Sequence, residues 1–332
     1  MIKSLLCCDW GTSSFRLRLI DVSSYKLIGE IISGQGVADT YSAWKKQAET
    51  GGVQRNFYFR QQLKQQIDAL ADNISRNLER IPVAVSGMAS SSIGMEEIPY
   101  AGLPFAMDGS QASVRHFDPI EAFPHELMLI SGVKSAEDVM RGEETQLIGL
   151  AALLDSEGRR PSDALFIFPG THSKHMYVQQ GQLQNFETYM TGEIFSVMAS
   201  YSILKDSLNV SSLGDFSDKN LAAFRFGLKD SEASLLNRLF TVRTNQLFEK
   251  LTKEQNAFYL SGLLIGAELK PLVQQQSWQL VLCSGTNLFA FYQLAIEDLA
   301  LSARTVVIPA ELIDKAAMVG QVILYQNQKL NV

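Results

Sequence analysis

The chain has 332 residues, with 29 Lys+Arg against 35 Asp+Glu for a net charge of −6, 46% hydrophobic and 19% charged residues. That balance buries a large core and excludes disorder as the dominant state, while the missing basic excess argues against nucleic acid as the main partner. The length suits about two domains, no apolar run approaches the ~18 residues of a bilayer span, and Asp9 breaks the short apolar start, so neither secretory signal nor membrane anchor is expected and the chain reads as cytoplasmic.

In chain order, Ser4–Asp9 is an apolar run that meets Gly11-Thr12-Ser13-Ser14, and Phe15–Asp21 then alternates apolar and basic residues as a half-solvated strand does. With Lys26–Ser33 this predicts a three-strand meander, unlike a dinucleotide fold, where a helix follows the first glycine turn. Trp44 to Arg80 is polar and helical, with Phe57, Leu63, Ile67, Leu70 and Ile74 on its apolar stripe. Val83–Val85 is a buried strand running into a Ser/Gly loop, Ile98 to Val139 is strand and loop, and Glu143–Leu154 is a helix. Gly158–Asp163 is the most linker-like stretch, which sets the domains at 1–160 and 161–332.

The opening pattern then returns: the run Ala164–Phe168, a turn Pro169-Gly170-Thr171-His172-Ser173, and strands Lys174–Val178 and Leu183–Met190. The two Gly-Thr bends lie 159 positions apart (170 − 11), so an internal structural repeat is expected. Helices are predicted over Gly192–Leu204, Lys219–Gly227, Ala233–Leu247 and Glu254–Lys270, where Gly262 and Gly266 permit close helix contact. Strand Gln279–Cys283, helix Leu288–Leu299, strand Thr305–Ile308 and helix Ala310–Gln326 close the chain.

Several segments carry chemistry. In Asp9-x-Gly11-Thr12-Ser13 the glycine lets backbone N–H groups approach a phosphate, the hydroxyls add donors, and the carboxylate can hold Mg²⁺ through water; the same residues also suit an ordinary hairpin. Gly170, Thr171 and Lys174 repeat the arrangement in the second meander. Ser284-Gly285-Thr286-Asn287 joins a strand to a helix, where small residues and a helix N-terminus suit a flat or anionic group. Arg141-Gly142-Glu143-Glu144 puts two carboxylates at a helix start, which the macrodipole favours by itself but which could also accept a hydroxyl proton, with Arg141 pairing a substrate carboxylate. Ser86, Gly87 and Ser90 form a small polar loop suited to a hydroxyl-rich ligand. The three cysteines, two of them adjacent (Cys7, Cys8), make neither a disulfide framework nor a zinc site.

The stretches CDWGTSSFRLRLID, VSGMASSSIG, VMRGEETQLIG, FPGTHSKHMYV, NFETYMTGEIF, FYLSGLLIGAEL and LCSGTNLFAFY resemble, in order, the 2-dehydro-3-deoxygalactonokinase family of the actin/hexokinase-like ATPase superfamily. MRGEETQLIG and PGTHSKH are the most specific of them. The resemblance implies an α/β fold of two ribonuclease-H-like (actin-like ATPase) domains around a central nucleotide cleft. It implies ATP-dependent phosphorylation of the 6-hydroxyl of 2-dehydro-3-deoxy-D-galactonate in galactonate catabolism. By the same resemblance Asp9 organises Mg²⁺; Gly11, Thr12 and Ser13 hold phosphate, as do Gly170 and Thr171; and Gly285 with Thr286 borders the nucleoside. Related sugar kinases carry a Gly-Asp-Gln segment whose aspartate is the base. Here the segment offers Glu143 and Glu144 instead, with Glu143 favoured because it follows the glycine. Arg141 and Lys174 are left between substrate carboxylate and phosphates. Alternatives are a kinase of another sugar or sugar acid, or a non-metabolic actin-like or chaperone-like ATPase. The expected partner is a small sugar acid, with no nucleic acid or membrane, and a homodimer is left open.

Overall fold

A computed structural model describes residues 2–330. The opening alternation forms an antiparallel meander of β1 (Ser4–Trp10), β2 (Phe15–Asp21) and β3 (Leu27–Ser33). Along β2, Phe15, Leu17 and Leu19 are buried while Arg16 and Arg18 are only half-buried, the period of two that the sequence alternation requires. Trp10 anchors the bend: its ring meets Phe15 edge-on at 5.1 Å and its Nε1 donates to the Gln35 carbonyl at 3.2 Å.

The polar segment that follows is two helices, α1 (Val37–Gly51) and α2 (Arg55–Asn73), and helix does not continue to Arg80. The buried stripe of α2 is Phe59, Leu63, Ile67 and Leu70. Phe57, two positions before Phe59, falls on another face and is half-buried, because a stripe requires three- and four-residue steps. The buried β4 (Val83–Gly87) runs parallel to β1, with Asp9 opposite Ser86 and Trp10 opposite Gly87. Short strands follow, β5 (Phe105–Ala106), β6 (Val114–Phe117), β7 (Leu127–Ile130), β8 (Val133–Lys134) and β9 (Val139–Met140), and then α3 (Glu143–Ser156). The first sheet has the order β3-β2-β1-β4-β7-β6.

The second half starts with β10 (Asp163–Phe168), β11 (Ser173–Gln179) and β12 (Gln182–Tyr189), then α4 (Thr191–Tyr201), α5 (Asp218–Asp230), α6 (Leu235–Leu247), α7 (Lys253–Leu269) and α8 (Pro271–Gln274). It continues with β13 (Gln279–Leu282), α9 (Thr286–Asp298), β14 (Thr305–Val307) and α10 (Ala310–Leu330). The second sheet has the order β14-β13-β10-β11-β12-β5, with β10, β13 and β14 parallel. Leaving out β6 and β5, both sheets follow one pattern: a meander whose first strand neighbours a later parallel strand, which in turn pairs with a second one. The repeat expected from the two Gly-Thr bends is therefore a repeat of topology.

The chain divides into two compact units. One comprises Met1–Ser162, Gln179–Asn185 and Glu311–Val332; the other comprises Asp163–Val178 and Phe186–Ala310. The core of the first packs Leu6, Leu17, Val85 and Leu129 of the sheet against Phe59 and Leu63 of α2. In the second, α7 is apolar nearly all round, as a helix buried on every side must be, and its start is fixed by a capping box between Thr252 and Gln255. Gly262 brings it within contact of the Phe224 carbonyl on α5. Among the described residues no helix is long and apolar enough to cross a membrane.

Candidate active site

Because β1 and β4 are parallel and in register, their C-terminal ends reach the same edge of the first sheet, where open α/β sheets bind ligands. Asp9 lies there. Loss of water around its carboxyl raises the pKa, a shift opposed by the charges of Arg16 and Arg18. A side chain at Gly87 would come 3.3 Å from Asp9 Oδ1 and 2.8 Å from the Trp10 carbonyl. A Cβ at Gly142 would in turn lie 3.6 Å from Gly87 Cα. Three segments far apart in sequence thus converge through two glycines, both at positive φ (+85° and +105°), where other residues are strained.

At the start of α3 the two candidate bases differ. Glu144 is 2% exposed; its Oε2 accepts the Gly142 N–H at 2.8 Å and its Oε1 accepts the Thr145 hydroxyl at 2.8 Å. Burial, then the neighbouring Glu143, push its pKa up to about 7. Glu143 is half-buried, and its Oε2 accepts the Arg141 N–H at 3.1 Å. Arg141 itself is committed to the protein: Nε donates to the Tyr100 hydroxyl at 3.0 Å and Nη1 to the Ser90 carbonyl at 2.6 Å and Oγ at 2.7 Å. Its guanidinium also stacks 4.0 Å from the Tyr100 ring centroid. Ser86 and Ser90 are buried, and Gln321 of α10 donates from Nε2 to both the Ser86 hydroxyl at 2.8 Å and the Cys8 carbonyl at 2.7 Å. Gln321 therefore fixes the backbone next to Asp9, a role with no signal in the local sequence.

The first Gly-Thr bend is closed by the Gly11 N–H donating to the Ser14 carbonyl at 2.9 Å. Val37 N–H and Ala38 N–H, opening α1, donate to the Gly11 and Thr12 carbonyls at 2.9 and 3.0 Å. A trans peptide sets each N–H opposite its C=O, so the amides of Thr12 and Ser13 point away from α1, as a phosphate cradle requires. Close approach depends on Gly36, where a Cβ would lie 2.1 Å from the Thr12 carbonyl.

The second bend repeats this device. Glu193 N–H, opening α4, donates to the Thr171 carbonyl at 2.9 Å, and a Cβ at Gly192 would lie 2.5 Å from the Gly170 carbonyl. Gly36 and Gly192 were missed in the sequence; the available signal was a glycine at a helix start after the third strand of each meander. Exposed His172 is 2.5 Å from Glu193 through Nε2 and Oε2. Lys174 is buried, and its Nζ donates to the Thr188 hydroxyl at 2.8 Å.

Beside this bend is a cavity of about 790 Å³, in the size range of small-molecule sites. Gly170, Thr171, Thr191 and Gly192 form one end; Thr286, Asn287 and Tyr292 of α9 and the apolar groups of Phe195, Leu213, Phe216, Leu264, Ile265 and Phe291 complete it. The parallel register of β10 with β13, Ile167 opposite Leu282, brings the bend and the start of α9 to one edge. Of the four residues expected at that junction, Thr286 and Asn287 line the cavity. Ser284 is buried, with its hydroxyl donating to the Gly285 carbonyl at 3.0 Å, and Gly285 is the N-cap of α9. An apolar slot ending in a Gly-Thr bend and a helix start suits a flat base joined to an anion.

Paired meanders of this topology, each with a Gly-Thr bend, define the α/β fold shared by actin-like ATPases and sugar kinases. A solved Clostridium difficile activator of 2-hydroxyisocaproyl-CoA dehydratase, with bound ADPNP, shares that fold at TM-score 0.50 and 14% identity over 99% of this chain and 98% of its own. The chain belongs to the 2-keto-3-deoxy-galactonokinase family, whose model matches residues 9–319, and it is a carbohydrate kinase. It is 32% identical over 238 residues to the 2-dehydro-3-deoxygalactonokinase of Escherichia coli (strain K12), covering 69% of this chain and 74% of that one. A solved structure of the same family from Sinorhizobium meliloti superposes with TM-score 0.76 at 26% identity, over 97% of this chain and 96% of that chain.

Proposed function

We propose that this protein transfers the γ-phosphoryl group of ATP to the 6-hydroxyl of 2-dehydro-3-deoxy-D-galactonate. The observation that carries this reading is the cavity joining the Gly170-Thr171 bend to an apolar slot, in a chain whose family acts on that sugar acid. In this reading adenine occupies the slot, Thr286 and Asn287 border the ribose, and the second bend holds phosphate through the Thr171 amide and hydroxyl; in the first unit, the bend of Gly11, Thr12 and Ser13 is assigned to phosphate through the Thr12 and Ser13 amides.

Asp9 fits an Mg²⁺ carried mainly by the nucleotide. It is half-buried at the C-terminal end of β1, and among the described residues no group of three His, Cys, Asp or Glu could form an all-protein metal cage. When bound, the ion would neutralise phosphate charge. Glu143 is the base, since its partly exposed carboxyl can meet an external hydroxyl, whereas Glu144 is only 2% exposed. Ser86, Gly87, Ser90 and Arg141 form the wall beside the base, with Ser90 and Arg141 holding each other. Lys174 supports its hairpin through Thr188.

The test is incubation with ATP, Mg²⁺ and a panel of sugar acids, with the product's phosphorylated carbon assigned by NMR. A 6-phosphorylated product from 2-dehydro-3-deoxy-D-galactonate supports the reading. Preference for another acid, or another carbon, replaces it.

A further inference from the structure

Glu268 of α7 is 2% exposed and lies behind the wall of the cavity. Its Oε2 accepts the Tyr292 hydroxyl at 2.7 Å and also the Thr191 hydroxyl, while His175 Nε2 is 3.2 Å from Oε1. Tyr292 OH is in turn 3.0 Å from Ser173 Oγ, and the Gly170 N–H donates to that oxygen at 3.4 Å. The directions are forced. Tyr292 gives its one proton to the carboxylate, so it accepts from Ser173, whose own lone pair receives the Gly170 amide. His175 is fully buried and its Nδ1 has no hydrogen-bond partner.

We infer that Glu268 is a positioning residue for the phosphates of the bound nucleotide: it fixes the Gly170-Thr171 bend through Tyr292 and Ser173, and the start of α4 through Thr191. This rests on the nucleotide reading of the cavity. A buried carboxylate receiving three donors from β11, α4 and α9 is justified energetically only when all three are satisfied, so it sets one arrangement of those elements. Thr191 and Tyr292 line the cavity, whereas Glu268 does not, so Glu268 acts through them. A donor array with its acceptor preorganised meets the triphosphate without reorganising.

The experiment compares ATP and adenosine binding by calorimetry for the wild type and for Glu268→Gln, Tyr292→Phe and Thr191→Val, with melting temperature measured alongside. Tyr292→Phe is expected to weaken ATP by about 10-fold, the effect of one hydrogen bond to a charged group, with adenosine affinity within about twofold of wild type. Glu268→Gln keeps one acceptor oxygen and is expected to fall between Tyr292→Phe and wild type. Equal losses for ATP and adenosine, or no loss in any variant, overturn the inference. Should Glu268→Gln not fold, the other two variants carry the same comparison. Wild-type protein that binds neither ligand overturns the nucleotide reading itself, and this inference with it.

Discussion

Glu143 and Glu144 are adjacent carboxylates at one helix start, yet burial separates them chemically. Removing one acceptor of a substrate proton costs a kinase roughly 10²–10⁴-fold in turnover, so Glu143→Gln is expected to lose that much kcat, measured at saturating ATP and sugar acid. Glu144→Gln keeps an acceptor for Gly142 N–H and is expected to lose far less; the reverse ranking would make Glu144 the base. Glu144 also predicts a pH effect on stability. Its pKa is about 7 in the folded chain against 4.5 as the ordinary value, so the folded state holds a proton that the unfolded state releases. Stability from this group is full below about pH 4.5, declines as pH rises through the window up to about 7, and is flat above it, for a total of roughly 3 kcal/mol. In thermal melts, Glu144→Gln is expected to gain on the wild type between about pH 4.5 and about pH 7 and no further above that; a constant difference would remove the burial argument.

At the scale of elements, each Gly-Thr bend is set by the helix that follows its meander. Gly192→Ala places a Cβ 2.5 Å from the Gly170 carbonyl, and backbone cannot yield as a side-chain tip does. The expected result is a higher KM for ATP with an unchanged KM for sugar acid in steady-state assays. Changes confined to sugar acid would contradict the assignment of that bend to phosphate. This device also marks the limit of sequence reading here. The meanders were legible because β2 alternates Phe15, Arg16, Leu17 and Arg18 and because Gly-Thr follows an apolar run twice. Gly36 and Gly192 were not, since their importance lies in a contact with a loop more than twenty residues earlier in sequence. The same holds for Gln321, which touches Cys8 and Ser86 across most of the chain. Tyr292 and Glu268 carry no signal in the local sequence, and only packing shows that their polar atoms meet. Helix periodicity likewise ran α1 and α2 together and placed Phe57 on the wrong stripe.

For the molecule as a whole, one topology occurs twice, and the two copies differ in what surrounds the bend. The first has carboxylates at the strand ends, Asp9 beside Gly87 and Glu143 at the helix start. The second has the apolar slot. That difference divides the proposed labour: the first unit handles metal and proton beside its own phosphate bend, and the second holds the nucleoside and the other phosphate bend. The most direct test follows ADP release with 2-dehydro-3-deoxy-D-galactonate, ATP and Mg²⁺, comparing wild type with Asp9→Ala. The account predicts turnover of about 1–100 per second that requires the sugar acid and is abolished in a variant melting as the wild type does. ADP release independent of the sugar acid, or near-normal turnover in Asp9→Ala, would contradict it.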